Sequence, residues 1–326
     1  MRVNLQRRCV LPILWLAICF NGQASASLGD RQPEFKTCVA ACVETNCGPN
    51  GLSIPLHRRL LLWTCPSECD YACQHITTTH RLARDPPHLF PILQYHGKWP
   101  FHRFLGMQEP ASVLFSLCNF LAHLSGLERL KRDIPASYSL RKWYLGFGYM
   151  GLLSWAASML FHTRDFTWTE RVDYYAAGGS VMYGLYLAPI RVFRLDRKPA
   201  TLLRLWTALC ASLYTLHLAY LTLVRFDYTY NMLANIIIGV LQNLLWTLFS
   251  IRRYRRVGRV WAAWPGLIVA WIVLAMSLEL FDFAPWRGMV DAHSLWHLGT
   301  VGPTVWWYSF LVKDAREELL GVRLKA

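Results

Sequence analysis

The sequence predicts an all-α polytopic membrane protein: seven transmembrane helices preceded by a small disulfide-rich luminal N-terminal domain. Three observations predict it. Hydrophobic residues make up 54% of the 326 positions and aromatic residues 14%, more apolar material than a soluble domain of this length needs. Seven apolar stretches, approximately 107–127, 143–162, 173–193, 201–224, 232–251, 260–281 and 293–312, each approach the length of a membrane-crossing helix. Ahead of them lies a polar segment with six of the ten cysteines. The formal charge of +14 is parcelled into short runs between apolar stretches, so it reports topology and not a nucleic-acid surface.

Residues 1–26 have the layout of a secretory signal peptide. Arg2, Arg7 and Arg8 form a positive start, 9–20 an apolar core, and Ala24-Ser25-Ala26 a small-residue cleavage site. An uncleaved anchor is the alternative, but a core of about a dozen residues is short against the roughly 20 that a span needs. Residues 27–104 then form a luminal cysteine-rich domain and linker. Cys38, Cys42, Cys47, Cys65, Cys69 and Cys73 read as a disulfide framework in an oxidising lumen. Fifteen pairings of six cysteines stay open. A zinc knuckle is the rival, disfavoured because no histidine pattern completes the spacing.

Residues 105–312 form the seven-helix domain and 313–326 a cytoplasmic tail. The connections after the first, third and fifth stretches are rich in Arg and Lys, from Arg129, Lys131 and Arg132 to Arg252, Arg253, Arg255 and Arg256. The intervening connections hold only Arg164 and Arg171, then Arg225, then Arg287. By the positive-inside rule the rich loops are cytoplasmic, which agrees with a luminal N-terminus.

Topology then assigns depth. His162 falls at the luminal end of the second stretch, with Ser158 one turn deeper on the same face. Asp173 falls near the luminal start of the third, and His293 and His297, one helical turn apart, open the seventh. Five polar residues thus converge on one leaflet, where ionisable groups are costly and usually face a protein interior. Three imidazoles with one open position are what a catalytic zinc requires, since its bound water ionises near neutral pH. Asp173 can orient a ligand or take a proton, and Ser158 can donate to a developing oxyanion. Ser158 as a covalent nucleophile activated by His162 is the alternative, and it leaves the pair in the seventh stretch without a task. His123 and His217 stand alone and read as helix-packing hydrogen-bonding groups, while Asp291 reads as a loop charge or as an orienting partner of a histidine.

Several motifs carry a resemblance that covers essentially the whole chain. They are the luminal cysteines, Gln94-Tyr95-His96-Gly97-Lys98-Trp99-Pro100-Phe101, Glu109-Pro110-Ala111-Ser112 and Phe161-His162-Thr163-Arg164-Asp165. With them come a Ser-x3-His at Ser158 and His162, an Asp eleven residues further at Asp173, and the final His-x3-His at His293 and His297. In these the sequence resembles the Per1-like family of the CREST superfamily of seven-helix membrane hydrolases. The one small departure noted is Ala284, in a loop where a second proline is expected.

The resemblance implies zinc held by His162, His293 and His297, with Ser158 and Asp173 assisting hydrolysis of a lipid acyl bond. It further implies a Golgi protein, with the endoplasmic reticulum as the alternative compartment. The reaction it implies removes the sn-2 unsaturated fatty acid from the lipid of GPI-anchored proteins, the phospholipase A2 reaction. The partners so implied are GPI-anchored proteins and membrane lipid, with no nucleic acid. Rival readings are a ceramidase-like amide hydrolase, against which the large luminal segment argues, and a non-enzymatic seven-helix receptor or lipid-binding factor. Oligomeric state is not legible.

Overall fold

The computed structural model describes residues 27–49, 53–85 and 90–323. The expected signal peptide, 1–26, lies outside them. The described chain is helical, and its only strand-like pairings are isolated bridges that close short turns.

The N-terminal unit is built on α1 (Pro33–Asn46), α2 (Leu56–Leu60) and α3 (Cys65–Leu82). Cysteines four residues apart fall on one face of a helix, so α1 and α3 can meet along a line of sulfurs. Three disulfides form that line: Cys38–Cys73, Cys42–Cys69 and Cys47–Cys65. The nested order makes α1 and α3 a clipped antiparallel hairpin and leaves none of the six sulfurs as a thiolate for zinc. Thr64 and Ser67 start α3 with a reciprocal capping box. The apolar core beneath is small, with Phe35, Leu93 and Tyr95 packed on Cys73, so the bridges carry much of the stability. Removing the middle one with Cys42→Ser and Cys69→Ser is expected to destabilise this unit by about 2–5 kcal/mol. Limited proteolysis of the full chain on heating checks it: cleavage within 27–104 should begin at lower temperature while the bundle stays intact.

Seven long helices follow: α4 (Pro110–Asp133), α5 (Arg141–Thr163), α6 (Thr167–Val192), α7 (Ala200–Ala219), α8 (Tyr228–Val257), α9 (Trp264–Phe281) and α10 (Ala292–Arg323). They match the expected stretches in number and order, and α7 continues through a π turn to Val224. Five segments are long and apolar enough to cross a membrane: 110–133, 141–163, 200–224, 228–257 and 260–279. The expectation of seven is met on this measure only in part, and α6 and α10 are the exceptions. Both hold polar groups that the bundle buries wholly or in part. α6 carries Asp173 and Arg191, and α10 carries His293, His297, Thr300 and Asp314.

Helices α4, α5, α6, α8, α9 and α10 pack side by side in a closed ring, and α7 lies outside it against α6. Small residues set the closest approaches. A Cβ on Gly126 of α4 would meet the Tyr308 ring of α10 at 2.2 Å, and one on Gly151 of α5 would meet the His123 ring at 2.1 Å. His123 donates or accepts with Tyr308 Oη at 2.7 Å, and His217 contacts Asn231 at 3.2 Å, so both lone histidines serve packing as expected. The main apolar core fills the ring end remote from the disulfides, around Tyr144, Leu187, Trp246, Trp307 and Phe310. At that end α10 runs past the expected boundary at 312 to Arg323, with Asp314 and Ala315 wholly buried.

The cysteine-bearing unit sits on the opposite end of the ring. His102 N donates to Gly288 O at 2.7 Å, and Gln94 Nε2 donates to Asp282 Oδ2 at 3.1 Å. Trp99 Nε1 adds a bond to Asp282 Oδ1 at 3.0 Å. The chain reverses at His96 and Gly97, both at positive φ (50° and 79°), a backbone region glycine enters without steric penalty. That turn aims Lys98 at the mouth of the bundle.

Candidate active site

The residues of the site come from the ends of five helices at the face covered by the cysteine-bearing unit. Helix α5 ends with His162, α6 begins just before Asp173, and α10 begins with His293 and His297. The three histidines meet: their ligand nitrogens all lie within 4.8 Å of one another. Ring centroids are 5.1 Å apart for His162 and His293, 5.0 Å for His162 and His297, and 4.5 Å for His293 and His297. His162 and His297 are buried, and His293 is half-buried.

Each ring is oriented by a different oxygen. His162 Nδ1 donates to Glu109 Oε2 at 2.8 Å, and His293 Nδ1 donates to Glu279 Oε1 at 2.7 Å. His297 Nδ1 lies 2.9 Å from Ser116 Oγ. With all three Nδ1 atoms engaged outward, the Nε2 atoms are the ones left to face inward, and orienting bonds of this kind fix the tautomer of metal-binding histidines. His162 Nε2 and His293 Nε2 are 3.4 Å apart. Two nitrogens bound at about 2.0–2.1 Å to one tetrahedral zinc are separated by roughly that distance. The donor set therefore fits a divalent ion that prefers imidazole.

The supporting contacts reach across the bundle. Glu109 N donates to His162 O and Gln108 N to Thr163 O, both at 3.0 Å, so the segment before α4 satisfies carbonyls at the end of α5. Lys98 Nζ pairs with Glu109 Oε1 and lies 3.1 Å from Asp165 Oδ2. Burial opposes the charge on Lys98, but Glu109 and Asp165 outweigh it and raise its pKa above the ordinary value. On the other side Asn119 Nδ2 donates to His297 O at 2.7 Å, tying α4 to α10, and Trp155 packs edge-on against the His297 ring.

Ser158 is buried and joins the group indirectly. Its Oγ is 3.0 Å from Ser116 Oγ, which contacts His297. It forms no hydrogen bond to His162, whose ring is held by Glu109. Asp173 is half-buried on α6 within electrostatic reach of His162 and His293 and makes no direct hydrogen bond to the three imidazoles. Asp291 does not orient a histidine. Its Oδ1 accepts from Ser294 N at 2.9 Å and so caps the first turn of α10.

Glu109, Glu279 and Ser116 are partners that inspection of the sequence did not single out as functional. A carboxylate in the apolar run of α9 is itself a signal, because such groups are rare in membrane helices unless paired. If the three imidazoles hold zinc, replacing Glu109 by Gln is expected to weaken its binding by about 10–100-fold. Competition against a chelating zinc indicator with the purified chain measures it, and an unchanged affinity would dissociate Glu109 from the imidazole site.

A helical bundle with long apolar helices and three oriented, converging histidines defines a polytopic membrane protein with a candidate metal centre. Comparison with known proteins makes the class specific. The profile of the Per1-like family matches residues 55–315, and the chain belongs to that family. It is 39% identical over 318 residues to the protein PER1 homolog of Schizosaccharomyces pombe, covering 96% of this chain and 95% of that protein. It is 37% identical over 298 residues to GPI-specific phospholipase A2-like PGAP3 of Homo sapiens, covering 90% of each. The Danio rerio protein of the same name is 39% identical over 305 residues, covering 92% of this chain and 94% of that protein.

Proposed function

We propose that this protein is a zinc-dependent lipid acyl hydrolase that removes the sn-2 unsaturated fatty acid from GPI-anchored proteins in the Golgi. The convergence of His162, His293 and His297, each held through Nδ1 by its own oxygen partner, carries the reading. The names of the relatives, GPI-specific phospholipase A2-like, support the substrate class. In this reading residues 1–26 are a cleaved signal peptide, 27–104 are luminal, α4 to α10 cross the membrane seven times, and the tail after 312 is cytoplasmic. The site then opens on the luminal leaflet, where GPI lipids lie.

His162, His293 and His297 would hold the ion through Nε2. When bound, zinc supplies Lewis acidity and a water of lowered pKa. The chain's own groups do the rest. Glu109 and Glu279 accept from their imidazoles and balance positive charge at the site. If His297 binds through Nε2, its Nδ1 carries the proton and donates to Ser116 Oγ. Ser116 then donates to Ser158, whose own hydroxyl proton is free for negative charge developing on the scissile carbonyl. Asp173 takes a proton from the attacking water and returns it to the leaving glycerol oxygen. Beyond the histidines, a cavity of about 170 Å³ lined by Trp246, Ile272, Thr304 and Trp307 gives the tail of the scissile chain an apolar berth. Thr304 is seven residues past His297 on α10, roughly 10 Å deeper at 1.5 Å per residue.

The test is mass spectrometry of fatty acid released from a GPI-anchored protein by the purified chain in detergent. Release of an sn-2 unsaturated acid that stops with a chelator and resumes with zinc is the expected result. Release from ceramide instead would assign the amide reaction, and no release from any acyl lipid would overturn the hydrolase.

A further inference from the structure

Between the cysteine-bearing unit and the bundle lies a second cavity, of about 70 Å³. Its walls mix cationic and polar groups, Lys98, Arg103, Arg164, Gln74 and Gln108 among them, with Asp165 and aromatic rings. The charges here are shared unevenly. Lys98 is matched by Glu109 and Asp165. Arg103 and Arg58 each pair with Glu68 at 2.8 Å, so two guanidiniums share one carboxylate. Arg164 makes no ion pair among the described residues. Its guanidinium has one long hydrogen bond, Nη1 to Asp165 O at 3.4 Å, and its buried Nε has no partner.

Arg164 and Arg103 nonetheless lie close together, both against the Trp63 ring, with Cζ to centroid distances of 3.6 and 3.2 Å. Burial lowers the pKa of both, that of Arg103 to about 10. Two crowded cations with an unfilled buried donor, beside a cavity, form a receptor for an anion with several acceptor oxygens. The planar guanidinium fork matches a phosphate in this way, and the partnerless Arg164 Nε is a donor that such a ligand can satisfy.

The cavity shares a wall with the histidines. Lys98 lines it and pairs with Glu109, whose other oxygen holds His162. Gln108 and Asp165, also in the wall, flank Glu109 and His162 in the chain and are joined by the Asp165 N to Gln108 Oε1 bond at 3.1 Å. In a phosphoglyceride the sn-2 ester and the headgroup phosphate stand on adjacent glycerol carbons. A substrate with its ester at the histidines therefore presents its phosphate toward the Lys98–Glu109 pair that stands between them and this cavity. We propose that this cavity binds the phosphodiester of an inositol-bearing lipid headgroup, with Arg164 and Arg103 on the phosphate oxygens and Gln74, Gln108 and Trp99 meeting the inositol. The assignment rests on the chain acting on a phosphoglyceride.

The experiment is calorimetric titration of the purified full chain with glycerophosphoinositol, the water-soluble headgroup, beside inorganic phosphate and myo-inositol. Native protein is expected to bind glycerophosphoinositol more tightly than either fragment. R164Q should weaken it by about 10-fold or more, as befits a lost charge-assisted contact, and R164K, which keeps the charge but not the fork, should fall between. R103Q is the second variant, and near-native helicity by circular dichroism qualifies each variant for comparison. Absence of binding, or binding unaltered in both R164Q and R103Q, overturns the proposal. Inorganic phosphate bound as tightly as glycerophosphoinositol overturns it too, assigning the site to free phosphate. Fatty-acid release is assayed separately: an active chain that fails to bind the headgroup refutes the cavity alone, and a chain that binds it without hydrolysing any lipid refutes the reaction alone.

Discussion

Replacement of His297 by alanine is expected to reduce fatty-acid release to the level of substrate alone while the chain stays folded. His297 is buried, and its ring is the one linked through Ser116 to Ser158. The substitution removes one of three inward nitrogens and separates Ser158 from the other two histidines. Two remaining imidazoles do not make the three-ligand site that holds a catalytic zinc, so zinc measured by inductively coupled plasma mass spectrometry should be lost together with activity. Zinc added to chelator-treated protein should restore the native chain and not the variant. Ser158→Ala is the informative contrast. Loss of a single donor to the oxyanion lowers kcat by about 10²–10³-fold and leaves bound zinc unchanged. Full activity of His297→Ala would make the metal reading untenable and turn attention to Ser158.

Much of this site is legible in the linear sequence, and the part that is not has a physical reason. The three histidines could be placed together because helical spacing and alternation of crossing direction assign depth without any knowledge of packing. His293 and His297 are one turn apart, and His162 closes a helix that runs toward the same face. The partners that aim the rings obey no such rule. Ser116 reaches His297 across 181 positions and Glu109 reaches His162 across 53, distances set by which helices become neighbours in the ring. Disulfide pairing was open for the same reason. It follows once α1 and α3 are known to run antiparallel, since the first cysteine of one then faces the last of the other. Hydropathy marks α4, α5, α7, α8 and α9 as candidate spans and leaves out α6 and α10. The two helices left out carry Asp173 and the histidine pair, polar groups of the site that interrupt their apolar runs.

Asp314 anchors the end of the bundle remote from the histidines, and Asp314→Ala is expected to destabilise the protein by about 3–5 kcal/mol, the range for removing one partner of a buried ion pair. Its carboxylate is wholly buried. It accepts from Arg191 Nε at 2.5 Å and Arg191 Nη2 at 2.7 Å, a bidentate pair, and from Arg253 Nη2 at 3.1 Å. Glu318, one turn further along α10, pairs with Arg194 and Arg197 after α6. These contacts bolt α10 to α6 and α8. The penalty comes less from the lost attraction than from Arg191, which is 4% exposed and, among the described residues, would be left with only Glu318 Oε2, 3.9 Å from its Nη2 and already shared with Arg194 and Arg197. Removing both charges in Arg191→Met with Asp314→Leu should therefore recover most of the loss, because a buried pair replaced by apolar side chains of similar size is often neutral. Thermal unfolding followed by circular dichroism in detergent compares the single and double variants. Below its unfolding midpoint the Asp314→Ala protein should still bind zinc, which separates a brace at one end of the ring from the chemistry at the other. Equal destabilisation by the single and double changes would mean that the helices are held there by packing around Phe310 and Trp246 and not by the ion pair.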